Sequence, residues 1–303
     1  MLRIAIIAGV LHSGGKRNLI MEYYRHMDRT KVQYDFICDS DSNGIPEEEI
    51  KSLGGYKVAP YKNLIPHLKE TYKILKENQY EVVHAFDNTL NIFPMFLARI
   101  AGVKVRISES ISKGDKNEKK TLIKYVLRPF SHWFTNCYMA NSIDCGIWQF
   151  GKKTYDKGEV SIFKTVIDAD VNAFDDKLRE SARKNFGWEN KVVYGFIGRY
   201  VPQKNPLFLI DTFNEIAKIQ ENAVLVMIGF GELENEMCNR IKEYEITDRV
   251  MNLGRRDDIK QFYNAFDAFL LPSLYEGMPV VGIEAQCAGL PIFFSKNITE
   301  ETT

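Results

Sequence analysis

The chain has 303 residues, a length that suits two domains at about 150 residues each. Its 40 Lys and Arg cancel its 40 Asp and Glu, which excludes a protein that coats nucleic acid through a basic excess. With 45% hydrophobic residues and no net charge it is not a disordered chain either. The five cysteines are widely spaced and include no C-x-x-C pair. That argues against a disulfide scaffold or a zinc cluster and fits a reducing, cytoplasmic setting. The apolar start after Arg3 reads as a first strand, not a signal peptide. No apolar run is long enough to span a membrane.

In chain order, strand-length apolar runs fall at Leu2–Ala8, Tyr34–Cys38, Val82–Ala85, Val103–Ser108 and Cys137–Ala140. Helical faces separate them, with Leu19, Tyr23 and Met27 on one and Leu68, Tyr72 and Leu75 on another. A polar stretch, Ala169–Asn190, interrupts the pattern. It resumes with strands at Val192–Ile197, Val224–Ile228, Val250–Leu253, Ala268–Leu271 and Pro291–Phe294. Helices Leu207–Gln220, Glu232–Tyr244, Asp258–Phe266 and Pro279–Cys287 lie between them. Apolar strands alternating with amphipathic helices predict α/β architecture with parallel sheets covered on both faces. The expected organisation is two doubly wound Rossmann-like domains, 1–167 and 168–303, facing a cleft. Ligands of such sheets sit beyond the carboxyl ends of the strands. The closing FFSKNITEETT offers only the start of a further element, so a truncated second domain is expected.

The strongest chemical signal follows the strand AFLL: Tyr275-Glu276-Gly277-Met278-Pro279, with Glu284 eight positions after Glu276. Glycine admits close backbone approach. Pro279 suits a first helical turn, and the helix start attracts an anion such as a diphosphate. Glu276 would project toward that anion, and Glu284 would accept hydrogen bonds from a diol such as ribose. Singly, each acid reads better as an ordinary helix residue; the pair points to a site. A second signal, Gly198-Arg199-Tyr200-Val201-Pro202-Gln203-Lys204-Asn205, follows the strand VVYGFI. Arg199 offers a fork and Lys204 a point charge to phosphate oxygens. The other reading is a solvated loop with Asn205 as helix N-cap.

Weaker signals sit at neighbouring strand ends. Gly229-Phe230-Gly231 is a phosphate loop or a tight turn, and Leu253-Gly254-Arg255-Arg256 is a base contact or a solvated loop. In the first half Gly14-Gly15 falls between strand and helix without a G-x-G-x-x-G or P-loop pattern. His84 ends VVHA and is a site residue or a packed one; His12 is a lesser candidate. Asp39-Ser40-Asp41 has a metal-binding look but reads as a solvated acidic loop. Lys113–Arg128 carries six cations against two acids, followed by Phe130, Trp133 and Phe134. It suits an anionic membrane surface or is a solvated helix.

Together GRYVPQKN, MIGFGELEN, LGRRDDI and PSLYEGMPVVGIEAQCAGLP resemble the family 4 (group 1) retaining glycosyltransferases of the glycosyltransferase B-type fold. EVVHAFDN, LARIAGVKVRISES and FFSKNITEE resemble the bacterial capsular and exopolysaccharide subgroup. The resemblance implies transfer of a sugar, with retention, from a nucleotide-sugar, expected to be a UDP-sugar, to a hydroxyl of a glycan or lipid-linked acceptor. It implies no metal or other cofactor and no nucleic-acid partner. Arg199 and Lys204 match the diphosphate positions, Glu284 the ribose position, and Glu276 with Gly277, Met278 and Pro279 the sugar position. Gly15 matches the glycine loop that approaches the donor, with Gly198, Gly229 and Leu253 beside it; His84 stands with Glu276, Arg199 and Lys204 as a catalytic candidate. Two departures stand out. Ile107-Ser108-Glu109-Ser110-Ile111 replaces Ile-Ala-His-Ser-His, and Thr165-Val166-Ile167-Asp168 replaces Asn-Gly-Ile-Asp. Rival readings are a sugar-nucleotide epimerase or hydrolase, and a non-catalytic nucleotide-sugar-binding subunit.

Overall fold

The structure, a computed structural model, describes every residue except 12–14, 41, 43–45, 60–62, 114–121, 165–166, 299 and 303. His12, Gly14, Asp41, Thr165, Val166 and residues 114–121 of the Lys113–Arg128 run therefore lie outside the described residues. The chain divides into two compact units, Met1–Val166 and Ile167–Thr303.

The first unit runs β1 (Leu2–Gly9), α1 (Gly15–His26), β2 (Val32–Asp39), α2 (Glu47–Leu53), β3 (Gly55–Ala59), α3 (Leu64–Glu77) and β4 (Val82–Asp87). It continues with α4 (Ile92–Ala101), β5 (Val105–Ser110), α5 (Leu122–Leu127), β6 (Cys137–Ala140), α6 (Ile143–Phe150), α7 (Lys152–Asp156) and β7 (Val160–Ile162). All pairings are parallel, in the order β3-β2-β1-β4-β5-β6-β7. Successive side chains alternate between two cores. Ala5, Ile37, Val83 and Ala85 pack on one face with α3 and α4. Ile6, Phe36 and Phe86 pack on the other with Ile20 and Tyr24 of α1. Burial on both faces is why these strands read as continuous apolar runs.

The second unit opens with α8 (Ala169–Asn172) and α9 (Asp176–Phe186), then β8 (Val192–Ile197), α10 (Pro206–Ile219), β9 (Ala223–Ile228) and α11 (Glu234–Glu243). It closes with β10 (Val250–Asn252), α12 (Ile259–Ala265), β11 (Ala268–Leu271), α13 (Val280–Cys287) and β12 (Ile292–Phe294). The parallel order is β10-β9-β8-β11-β12. Trp188, Phe196, Phe213, Phe262, Phe266 and Phe269 are fully buried at its centre. In both sheets the strand order reverses beside the first strand, the topological switch point where doubly wound sheets bind ligands.

Ala169–Asn190 is not the polar break that its composition suggests. It holds α8 and α9, and α9 packs on α12. Asp175 caps α9 by accepting from the Lys177 and Leu178 N–H groups at 2.9 and 3.1 Å. Arg179 and Arg183 both reach Asp267, and Arg183 also donates to the carbonyls of Ala265 (2.8 Å) and Trp188 (2.7 Å). Burial alone would raise the Asp267 carboxyl. The Val193 N–H at 2.8 Å and the two arginines outweigh it and hold it below the usual value. A depressed carboxyl stabilises the fold above its unfolded value of about 3.9 and loses that contribution as pH falls through the folded value. Asp267→Asn should therefore cost about 2 kcal/mol at neutral pH and shrink the acid-side loss of stability. Thermal melts of both proteins between pH 3 and 7 check this.

Candidate active site

The candidate residues of the second unit collect at the carboxyl edge of its sheet. Backbone hydrogen bonds tie the ends of three strands together there. The Gly198 N–H donates to Ile228 O at 3.0 Å, Gly229 to Gly254 O at 2.9 Å, and Leu253 to Met227 O at 2.9 Å. Gly229 has φ +152° and lies so close to the preceding loop that a Cβ would stand 1.9 Å from the Gly198 carbonyl oxygen. A Cβ on Gly231 would stand 2.4 Å from Tyr200 O. Tyr200, fully buried, is fixed by its N–H to Phe230 O at 2.9 Å and its phenol to Asn252 Oδ1 at 2.9 Å. The G-x-G here is thus a close backbone approach that shapes the strand ends. Gly229→Ala should push the two loops apart, at about 1–3 kcal/mol of stability. Melting temperature reads the effect.

The loops after β8 and β11 flank the switch point and are joined by four contacts. Lys204 Nζ donates to Glu276 Oε1 at 2.5 Å, with the two side chains 14% and 9% exposed. Gln203 Nε2 donates to Tyr275 O at 3.1 Å, and the Leu274 N–H to Gln203 O at 2.8 Å. Asn205 stands at the N-cap position of α10 in the left-handed region, φ +53°. It makes no side-chain cap; its amide donates to Pro272 O at 3.4 Å instead. So Glu276 does not project into open space: it is buried against Lys204. Arg199 is exposed and forms no ion pair among the described residues.

Gly277, Met278 and Pro279 are buried and lead into α13. Pro279 occupies the N-cap position with φ −73° and ψ 102°, one residue before the first turn expected of it. Its carbonyl takes the Gly282 N–H at 2.9 Å. The earlier N–H groups of that helix have no intrahelical acceptor. Glu284, the fifth residue of α13, accepts the Tyr263 phenol at 2.7 Å. Burial raises the Glu284 carboxyl above its usual value, more than the Tyr263 hydrogen bond lowers it. Burial, with the Glu284 charge, also pushes the Tyr263 phenol well up. Leu253 is half-buried. Arg256 is held by Asp258 at 2.8 Å and lies over the Phe262 ring at 5.4 Å.

In the first unit β4 runs on to Asp87, so His84 lies within the strand rather than at its end. It is buried, and its Nε2 stands 2.8 Å from Glu109 Oε2 of β5. Glu109, wholly buried, occupies the position where the family pattern has histidine; a histidine is still beside it, supplied by the neighbouring strand. Burial, then the Glu109 charge, holds the Tyr23 phenol far above its ordinary range. Gly15 opens α1, and Lys16 beside it donates to Ala8 O of β1 at 2.5 Å. Sequence reasoning missed Tyr263, Gln203 and Lys16. Lys16, the cation directly after Gly14-Gly15, was the one with a readable signal.

Residues 179–300 match the family described as glycosyl transferases group 1. EpsF of Bacillus subtilis, named a glycosyltransferase, is 29% identical over 308 residues, covering 99% of this chain and 80% of that protein. A galactosyltransferase of Escherichia coli, UDP-Gal:alpha-D-GlcNAc-diphosphoundecaprenol alpha-1,3-galactosyltransferase, is 30% identical over 233 residues, covering 74% of this chain and 60% of its own. Among solved structures, Anabaena HepE in complex with UDP-glucose superposes with a TM-score of 0.79 at 18% identity, over 97% of this chain and 80% of that one. Two parallel Rossmann-like sheets with this ordering are those of a glycosyltransferase B-type enzyme. The chain is a glycosyltransferase, and its residues 179–300 belong to the glycosyl transferases group 1 family. No helix among the described residues is long and apolar enough to cross a membrane.

Proposed function

We propose that the chain transfers a sugar, with retention and without a metal, from a UDP-sugar to a hydroxyl of a lipid-linked glycan in cell-surface polysaccharide synthesis. The observation that carries this reading is the buried Lys204–Glu276 pair at the β8/β11 switch point, directly before the amino end of α13. Arg199 and Lys204 hold the donor diphosphate, and Gly277, Met278 and the first turn of α13 offer it N–H groups. Glu284, oriented by Tyr263, accepts the ribose hydroxyls. Gly198, Gly229 and Leu253 border the nucleotide. Glu276 gives up part of its hold on Lys204 as the diphosphate arrives and turns to the sugar hydroxyls.

The bond between the sugar C1 and the β-phosphate oxygen breaks, with its electron pair staying on UDP. The acceptor oxygen bonds to C1 on the same face, and its proton passes to the leaving phosphate oxygen. Preorganised cations beside a dipole meet the charge that develops on that oxygen. The E. coli relative, whose name gives a UDP-galactose donor and a diphosphoundecaprenol-linked acceptor, supports the lipid-linked choice. Such an acceptor places the reaction at the inner membrane face, with the enzyme bound there peripherally.

Calorimetric titration with UDP tests the donor site. The Arg199→Ala/Glu284→Ala variant should bind at least tenfold more weakly than the parent. Unchanged affinity would overturn the assignment. Since burial raises the Glu284 carboxyl, UDP affinity of the parent should fall on acidification at a pH above the ordinary glutamic value of about 4.3. Transfer unaffected by EDTA, with an anomeric configuration equal to the donor's, completes the reading.

A further inference from the structure

Part of the first unit's surface carries apolar side chains that its core does not use. Phe96 and Ile100 of α4, Leu122, Ile123 and Val126 of α5, and Trp133 are exposed, Trp133 to 60%. Phe96 and Trp133 belong to one chain of ring contacts, and the α5 side chains adjoin it in sequence. The Phe96 ring lies 5.1 Å from Phe134, which lies 6.3 Å from Trp133, which lies 4.6 Å from Phe130. The turn Arg128–Phe130 joins this group to α5.

The surface is also held in place. Arg99 stands over Phe134 at 6.0 Å and donates to Trp133 O at 3.4 Å. Arg106 donates to Phe134 O at 2.6 Å and to Val103 O at 2.7 Å. Exposed rings fastened by arginines are not a loose loop. The charge is one-sided: residues 92–107 and 122–136 contain Arg99, Lys104, Arg106, Lys124 and Arg128 but no Asp or Glu. In a chain with zero net charge this is a local excess. A symmetric contact between two copies of the chain through this face would set like charges against like. An anionic bilayer satisfies both features, taking rings and aliphatic chains among its headgroups and cations at its phosphates. Lys113, the first cation of the basic run picked out in the sequence, is paired with Asp144 and so is partly neutralised.

We propose that the face formed by α4 and residues 122–136 seats the enzyme on an anionic membrane surface. This rests on the lipid-linked acceptor of the preceding section and names the surface that brings the enzyme to it. The test is flotation of the full chain with phosphatidylcholine vesicles, with and without about one-third phosphatidylglycerol, at 50 and 500 mM NaCl. Those proportions and concentrations are on the order that separates charge from apolar contributions.

The parent should bind the anionic vesicles at least tenfold more tightly than the neutral ones at low salt. Phe96→Ser/Trp133→Ser should lose at least tenfold of that affinity. Arg99→Glu/Lys124→Glu should lose more, since each basic residue near the surface contributes about fivefold. Both variants should keep the parent's circular-dichroism spectrum and thermal unfolding profile, which shows the first unit folded. Equal vesicle binding by parent and variants, or no preference for anionic lipid, overturns the proposal. A parent dimer in sedimentation velocity that Phe96→Ser/Trp133→Ser dissociates assigns the face to a second copy and overturns it too. Transfer to a short-chain, water-soluble acceptor, measured in parallel, separates the two readings. Its absence sinks the proposed function, whereas intact transfer with lost vesicle preference sinks only the docking face.

Discussion

Lys204→Met should cut sugar transfer by about 10²–10³-fold, the loss that follows removal of one preorganised charge-stabilising group. It should also destabilise the second unit. Glu276 is buried against Lys204 at 2.5 Å, and removing one partner of a buried pair leaves a charge costing about 3–5 kcal/mol. The two losses are separable. Lys204→Met/Glu276→Gln removes the stranded charge, so it should recover most of the stability and none of the transfer. Lys204→Arg keeps the charge and should retain folding with partial activity. Melting curves and single-turnover transfer read these side by side. A folded Lys204→Met protein that transfers sugar within about threefold of the parent rate, against the 10²–10³-fold expected, would end the role given to this lysine.

His84→Ala should be the most destabilising single change in the first unit, again by about 3–5 kcal/mol. It takes away the 2.8 Å partner of a Glu109 carboxylate that has no exposure to water. The Tyr23 phenol lies near that carboxylate, and burial together with the Glu109 charge holds the phenol far above its ordinary range. His84→Gln, which keeps a donor at similar reach, should recover part of the loss. Glu109→Gln removes the charge and should cost less than His84→Ala. Denaturant midpoints rank the three. If His84→Ala and Glu109→Gln cost the same, the stranded-charge argument fails and plain packing explains His84.

The strands that position the site were readable because each is an apolar run between polar helices. β8, β6 and β11 fall at the residues expected of them. β3 (GYKVA) and β7 (VSI) were not readable. They are edge strands, short and broken by glycine, lysine or serine, so apolar periodicity has too few residues to register. α9 escaped for a different reason. Only Ala182 of its 11 residues is buried, and its hold on the fold is made by arginines reaching carbonyls, which hydrophobic patterning does not see. At the candidate site, glycines and charges directly after apolar strands mark loops at the carboxyl edge. That is why Arg199, Lys204 and Glu276 could be named. Their pairing could not be read: Lys204 and Glu276 are 72 residues apart, and which loops meet depends on β8 lying beside β11. Tyr263 and Glu284 meet across 21 residues from two helices, with no motif to announce it.

The loops after β8 and β11 share side-chain and backbone ties at Gln203, Lys204 and Asn205 on one side and Pro272, Leu274, Tyr275 and Glu276 on the other. They therefore form a single inheritable module. Engineers who exchange donor preference between relatives by transplanting one loop would sever each of these ties at a stroke. A graft of residues 198–205 should express poorly unless residues 272–279 from the same parent travel with it. In a recombination library, surviving crossovers should avoid separating these two segments, even though α10, β9, α11, β10 and α12 lie between them in the chain.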